Sequence, residues 1–204
     1  MQITNLYKFP IKGFTPKEVR QIDFDCFGNV QGDRVFGFLL NKNELDATSW
    51  LSKRSFLTLQ GNPLIAKFNS NFDEAKSQLH ISLNSNISAT ADIRKISDRI
   101  YLSNWLREQL LEIDSSINIP PFTLIGDGHT YRFHDREQSS ISIMSASSLK
   151  VFEETAGVKI DERRFRMNMT INGLDPWQEL DLIGSAIRIN NIEFNVVGPV
   201  VRCL

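Results

Sequence analysis

Leu6-Tyr7-Lys8-Phe9-Pro10-Ile11-Lys12-Gly13 is a strand-like run of aliphatic and aromatic residues that meets a proline and then presents a lysine beside a glycine. Gly13 lets backbone N–H groups come close to a ligand, and Lys12 supplies a compact positive charge suited to phosphate. The same eight residues fit a plain strand end with a solvated lysine, and the motif alone does not separate the two readings.

Working outward, short runs rich in β-branched and aromatic residues recur between turn signals, at 3–10, 18–24, 34–41, 64–69, 78–83 and 87–93. The second half repeats the habit at 122–125, 140–144, 168–172, 186–189 and 192–197. Such spacing predicts a mainly antiparallel sheet or barrel. Two segments break the pattern with apolar residues at helical spacing. One is Leu102, Trp105, Leu106 and Leu110, with Ser103 as its cap; the other is Leu149, Val151 and Phe152 after a serine-rich start. Residues 126–138, with Gly126-Asp127-Gly128-His129 and many charges, read as an exposed loop near a domain boundary.

A chain of 204 residues buries roughly 70% of its unfolded surface, so its core needs no disulfide or structural metal. Lysine plus arginine number 23 against 24 aspartate plus glutamate. That balance gives no global attraction to nucleic acid or anionic lipid, so an anion site has to be built locally. Cys26 and Cys203 match no metal-ligand spacing and no disulfide framework. The amino terminus lacks a signal-peptide pattern and no apolar run approaches the ~20 residues that span a bilayer. The expectation is a cytoplasmic chain with no membrane span and no nucleic-acid partner.

Four further constellations bear on chemistry. Gly28-Asn29-Val30-Gln31-Gly32-Asp33-Arg34 is a glycine-punctuated turn in which Asp33 can orient Arg34 for a phosphate, or form an ordinary surface ion pair. Asp161-Glu162-Arg163-Arg164-Phe165-Arg166-Met167-Asn168 precedes a strand; if extended, it turns Arg164 and Arg166 to one face, as an anion site or a solvated charge run. Met144-Ser145-Ala146-Ser147-Ser148-Leu149 lies between a strand and a helix, where serines cap the helix, cradle a phosphate, or do both. Val197-Gly198-Pro199-Val200-Val201-Arg202-Cys203 sets a cation beside a cysteine, which favours thiolate, although most free cysteines are small buried hydrophobes. Cys26 has no cationic neighbour and reads as structural.

In this order the segments resemble the MOSC family, named for the molybdenum-cofactor sulfurase carboxy-terminal domain, in the form preceded by a MOSC-N region. Leu6 to Gly13 is similar to the family's Leu-Tyr-x-Tyr-Pro-Val-Lys-Ser and Gly28 to Arg34 to its Gly-Leu-x-Gly-Asp-Arg. Ser145 to Leu149 is similar to Ser-x-Ala-Ser-Leu, Arg164 to Asn168 to Arg-Phe-Arg-Pro-Asn, and Arg202-Cys203 to Arg-Cys. The similarity covers nearly the whole chain. Gly13 replaces a serine, Met167 replaces a proline, and the acidic-Asp-x-Trp segment survives as Leu174-Asp175-Pro176-Trp177. Family members continue past Arg-Cys, whereas this sequence stops at Leu204, so the resemblance implies a fragment or a barrel that closes differently.

The resemblance implies an α+β, mainly β fold: a MOSC-type β-barrel over residues 126–204, preceded by a smaller β-rich MOSC-N region over residues 1–125. It implies a molybdenum cofactor, molybdopterin, in a cleft to which both halves contribute basic groups. Lys12, Gly13, Arg34, Ser145, Ser148, Arg164, Arg166 and Asn168 are its expected binding residues, and Cys203 is the expected catalytic thiolate and metal ligand. By resemblance to the amidoxime-reducing component branch, the expected activity is reduction of N-hydroxylated or N-oxide compounds, with electrons from a separate iron–sulfur, flavin or haem protein. The alternatives are a sulfur carrier holding a persulfide on Cys203, which needs a sulfur donor, and a binding module without chemistry.

Overall fold

The computed structural model describes residues 1–41, 50–129, 133–135 and 140–201. Two compact units emerge: one of Met1–Tyr7, Glu18–Gln21 and Ile141–Leu204, the other of Lys8–Lys17 and Ile22–Ser140. The second is inserted into the chain of the first. The fold is α+β and mainly β, with the described strands in four separate small sheets and no closed barrel among the described residues.

The inserted unit holds the larger core. β3 (Gly37–Leu40) pairs antiparallel with β7 (Phe122–Ile125). β4 (Asn69–Asp73), β5 (Gln78–Ser82) and β6 (Ser88–Asp92) form an antiparallel three-stranded sheet. The period-2 pattern of a half-buried strand shows in that sheet, with Phe72, Leu79, Ile81, Ala89 and Ala91 buried between exposed or half-buried polar neighbours. The alanines of β6 leave space for α1 (Ile96–Ile113), which lies against that strand and inserts Leu102, Leu106 and Leu110 at spacings of four. Each such leucine contributes about 1.5–3 kcal/mol of burial. Phenylalanines fill the remainder, with Phe36 edge-on to Phe72 and Phe38 edge-on to Phe122.

The other unit is built on a sheet ordered β2-β1-β9-β8, in which β2 is the two-residue strand Lys17–Glu18. β1 (Gln2–Lys8) pairs antiparallel with β9 (Met169–Asn172), while β8 (Ile143–Ser145) runs parallel to β9. A parallel pair needs a crossover, and α2 (Ala146–Ala156) lies in it, closed by Gly157 in the left-handed region. β10 (Ala186–Ile189) and β11 (Ile192–Asn195) form a separate hairpin.

Several sequence expectations need correction. Of residues 64–69 only Asn69 is in a strand, the start of β4: Pro63 starts a 3-10 helix over Pro63–Lys67, and the Asn62 side chain accepts from the Leu64 N–H at 3.1 Å. Over 18–24 only Lys17–Glu18 form a regular strand, β2. Ser103 is no helix cap. It sits in the middle of α1, 2% exposed, donating to the Arg99 carbonyl oxygen and accepting from the Leu124 N–H. The mainly antiparallel pairing has its exception in β8 and β9. No helix among the described residues is long and apolar enough to cross a membrane.

Candidate functional site

In the inserted unit two tight turns place the basic residues. The Phe14 N–H donates to the Ile11 carbonyl oxygen, with Lys12 and Gly13 between them and Gly13 at φ +86°. This is the arrangement in which glycine is needed at the third turn position. A Cβ on Gly13 would also lie 3.0 Å from the Leu57 carbonyl oxygen and 3.2 Å from the Thr58 Cα. A serine here would strain both the turn and its packing. A second turn joins the Asp33 N–H to the Val30 carbonyl oxygen, with Gly32 at φ +72°.

The first turn buries Lys12. Its side chain is 4% exposed, and its Nζ donates to the Phe133 carbonyl oxygen at 2.8 Å, pairs with Asp135 and lies 5.6 Å from the Phe56 ring centroid. The second turn delivers a fully buried carboxylate. Asp33 Oδ1 accepts from the Phe9 N–H at 2.7 Å and Oδ2 pairs with the Arg34 guanidinium. Arg34 stacks on Phe9, its Cζ 4.8 Å from the ring centroid, and its N–H donates to the Phe9 carbonyl oxygen. The sequence reading in which Asp33 orients Arg34 matches this geometry. Partial burial raises the Asp135 carboxyl, but the Lys12 ammonium, with Arg34 and Lys53 behind it, outweighs that and holds it below the usual carboxylate range.

In the other unit the serine-rich start of α2 is already engaged. Glu179 accepts from the Ser145 N–H at 3.2 Å through Oε1 and from the Ser148 hydroxyl at 2.7 Å through Oε2. The Trp177 N–H donates to Ser148 Oγ, and the Ser145 and Ser147 hydroxyls bond to each other at 2.6 Å. A carboxylate thus sits where the helix dipole and free N–H groups favour an anion. Asn168 is also engaged: Oδ1 accepts from the Ser142 N–H and hydroxyl, and Nδ2 donates to the Tyr7 carbonyl oxygen at 3.0 Å.

The segment before β9 is not extended. Asp161 accepts from the Arg163 N–H and starts a 3-10 helix over Glu162–Phe165, closed by Arg166 at φ +56°. Alternation therefore does not set Arg164 and Arg166 on one face. Phe165 anchors the turn edge-on against Phe152 of α2, with Arg164 exposed and Arg166 half-buried. Beneath it Glu162 accepts from Tyr7 OH at 2.5 Å and from Thr170 Oγ1 at 2.8 Å, and burial together with Glu162 pushes the Tyr7 hydroxyl up to about 12.

Two acids, Asp135 and Glu179, went unread in the sequence. Each meets its partner across a long separation, 123 residues for Lys12 and 31 for Ser148, with no local signal. Cys26 is exposed in the turn after Asp25. Arg202 and Cys203 lie outside the described residues. Among the described residues no three His, Cys, Asp or Glu side chains gather as a metal site.

The donor set of the inserted unit suits a phosphate-bearing cofactor. A buried ammonium already carries an anionic oxygen, that of Asp135, which shows the position accepts negative charge. The Arg34 guanidinium is likewise held in one orientation, by the buried Asp33 carboxylate. The sequence matches the MOSC domain over residues 130–204 and the MOSC N-terminal beta barrel domain over residues 1–112. No curated protein matches the chain. MOSC domains are associated with molybdenum-cofactor-binding proteins. From these two matches, which together cover most of its length, the chain belongs to the MOSC family, in the form that carries the MOSC N-terminal beta barrel domain.

Proposed function

We propose that this chain binds the molybdenum cofactor and serves as a molybdenum-dependent oxidoreductase for N-hydroxylated or N-oxide compounds, supplied with electrons by a separate redox protein. The observation that carries the reading is Lys12, a buried ammonium at the family's lysine position with an anionic oxygen on it. A buried cation needs acceptors to offset its desolvation, and Lys12 has a carboxylate and a carbonyl oxygen on it.

In this reading Lys12 and Arg34 hold the cofactor's phosphate, the first as a point charge and the second as a planar fork. Asp33 keeps the fork in one orientation. Gly13 keeps the turn that aims Lys12, and its own contribution is backbone. Arg164 and Arg166 add positive charge in the other unit. Ser145, Ser148 and Asn168 act as positioning residues, since their polar atoms hold Glu179, Ser142 and Tyr7. The Cys203 thiolate is the soft donor for molybdenum. When bound, the metal supplies the two-electron redox chemistry, and the protein contributes binding, orientation and electrostatics.

The test is anaerobic purification followed by measurement of molybdenum and pterin on the same samples. Lys12→Met should lose both, whereas Cys203→Ser should lose molybdenum and keep pterin. Wild-type protein free of metal and pterin but carrying cyanide-releasable sulfur on Cys203 would sink the oxidoreductase reading and leave a sulfur carrier.

A further inference from the structure

Trp177 occupies a turn position that asks for a different residue. The Gln178 N–H donates to the Asp175 carbonyl oxygen at 3.1 Å and closes a turn with Pro176 and Trp177 between them. Trp177 has φ +69° and ψ 0°, the left-handed conformation that a type II turn demands of its third residue, where glycine or asparagine is the rule. For a bulky residue this conformation is an outlier, and strain of that kind clusters at active sites and ligand clamps. The turn is nevertheless firmly held. The Trp177 N–H donates to Ser148 Oγ at 2.8 Å and its carbonyl oxygen accepts from the Leu180 N–H at 3.0 Å. The Asp175 N–H donates to the Gln178 side chain at 2.9 Å.

The indole contrasts with those of the other tryptophans. Trp105 lies edge-on to Phe68, their ring centroids 6.2 Å apart, and the Trp50 indole N–H donates to the His134 carbonyl oxygen at 3.3 Å. Trp177 is 47% exposed, and among the described residues it has neither a ring partner nor an acceptor for its indole N–H. A fixed backbone thus presents an open aromatic face and an open donor. It does so one hydrogen bond from Ser148, whose hydroxyl is on Glu179. Tryptophan gives a large contact area for the ordering of only two χ angles, and its face favours offset stacking with another planar ring.

We propose that Trp177 is a stacking platform for a planar conjugated ligand, held by its turn beside the serine-rich start of α2. The inference rests on the cofactor-site reading above and names the ligand chemistry that this side of the site takes. That chemistry is a planar ring system, which the pterin of the cofactor and an aromatic N-oxide substrate share. A saturated ring has no π face to offer and gains only apolar contact.

The experiment titrates quinoline N-oxide into the full chain, with pterin content and a urea titration measured on every preparation. NMR of nitrogen-labelled protein follows the Trp177 indole N–H, identified by its loss in Trp177→Phe. Quinoline N-oxide should shift this resonance in wild type. Trp177→Asn, whose side chain suits a left-handed backbone, should bind the probe about fivefold more weakly or lose its pterin, whereas Trp177→Phe should stay within about twofold in both. Weaker probe binding with pterin unchanged assigns the platform to the substrate, and lost pterin with probe binding unchanged assigns it to the cofactor. The saturated N-methylpiperidine N-oxide should bind wild type and Trp177→Asn alike; an equal loss for both N-oxides overturns stacking in favour of plain apolar contact. Unchanged probe affinity and pterin in Trp177→Asn overturn the platform and leave the proposed function standing wherever wild type carries molybdenum. Wild type free of molybdenum and pterin that still binds quinoline N-oxide through Trp177 supports the platform and sinks the proposed function; if the indole resonance also ignores the probe, both are overturned. Should Trp177→Asn prove unstable, Trp177→Gly, which also suits this backbone, carries the comparison.

Discussion

Asp33 is the residue whose loss should be felt most sharply, because one buried carboxylate serves two dependants. Asp33→Ala leaves the Phe9 N–H, on a residue with 0% exposure, without its 2.7 Å acceptor. An orphaned buried donor costs about 1–3 kcal/mol. It also removes the carboxylate that pairs with Arg34, and since that side chain is 16% exposed it rehydrates only in part. The sum should approach the 3–5 kcal/mol typical of a broken buried pair. Asp33→Asn keeps an oxygen for Phe9 and loses the charge, so roughly 1–2 kcal/mol is expected. A chain with two compact units need not unfold in one step. The loss is therefore best read locally, as native-state hydrogen exchange of the Phe9 amide. Exchange should rise roughly 10²- to 4 × 10³-fold in Asp33→Ala, at a tenfold change per 1.4 kcal/mol. Adding Arg34→Met should recover part of the loss, since the cation that Asp33 compensates is then gone. Protection of the Phe9 amide within tenfold of wild type in Asp33→Ala would refute the account.

Three other expectations follow from the same geometry. Gly13→Ala combines a left-handed backbone with a Cβ 3.0 Å from the Leu57 carbonyl oxygen, and should lower the stability of the inserted unit by about 1–3 kcal/mol in urea titration. Ser103→Ala orphans the Leu124 N–H and should cost about 1–2 kcal/mol, visible as faster exchange of that one amide, despite the better helix propensity of alanine. Tyr7 is raised, chiefly by burial and then by Glu162, from the ordinary 10 to about 12. Its contribution is thus fully present below pH 10 and lost as pH climbs through 12. A phenolate absorbance titration of wild type minus Tyr7→Phe should place this group's ionisation above pH 11.

Much of the fold is legible where burial is one-sided. The alternation in Gln78–Ser82 and the apolar run of Phe122–Ile125 mark their strands because side-chain period and exposure agree. Reading fails where a short polar residue has two physical uses. Ser103 resembles a cap, yet it serves as a buried hydroxyl whose acceptor role depends on β7 arriving from 21 residues away. Asp161 starts a turn that removes the alternation expected of Arg164 and Arg166. Asn62-Pro63 carries a helix-start signal that the β-branched and aromatic content of the next residues outweighs in a periodicity reading. The basic half of the candidate site is visible from its glycine turns. Its acidic half is not, because Asp135 and Glu179 are defined only by what folding brings to them.

The pairing of β1 with β9 also sets an order of events during synthesis. Leu6 emerges from the ribosome 163 residues before its partner Met169, a delay of roughly 10–30 s at ordinary elongation rates. Throughout that interval the inserted unit, complete by Ser140, has all its own strands available, while the edge of β1 that meets β9 waits with unpaired backbone groups. The first strand made is therefore among the last to be satisfied, and a nascent chain stalled before residue 169 would display it as a template for the strands of its neighbours on the same message.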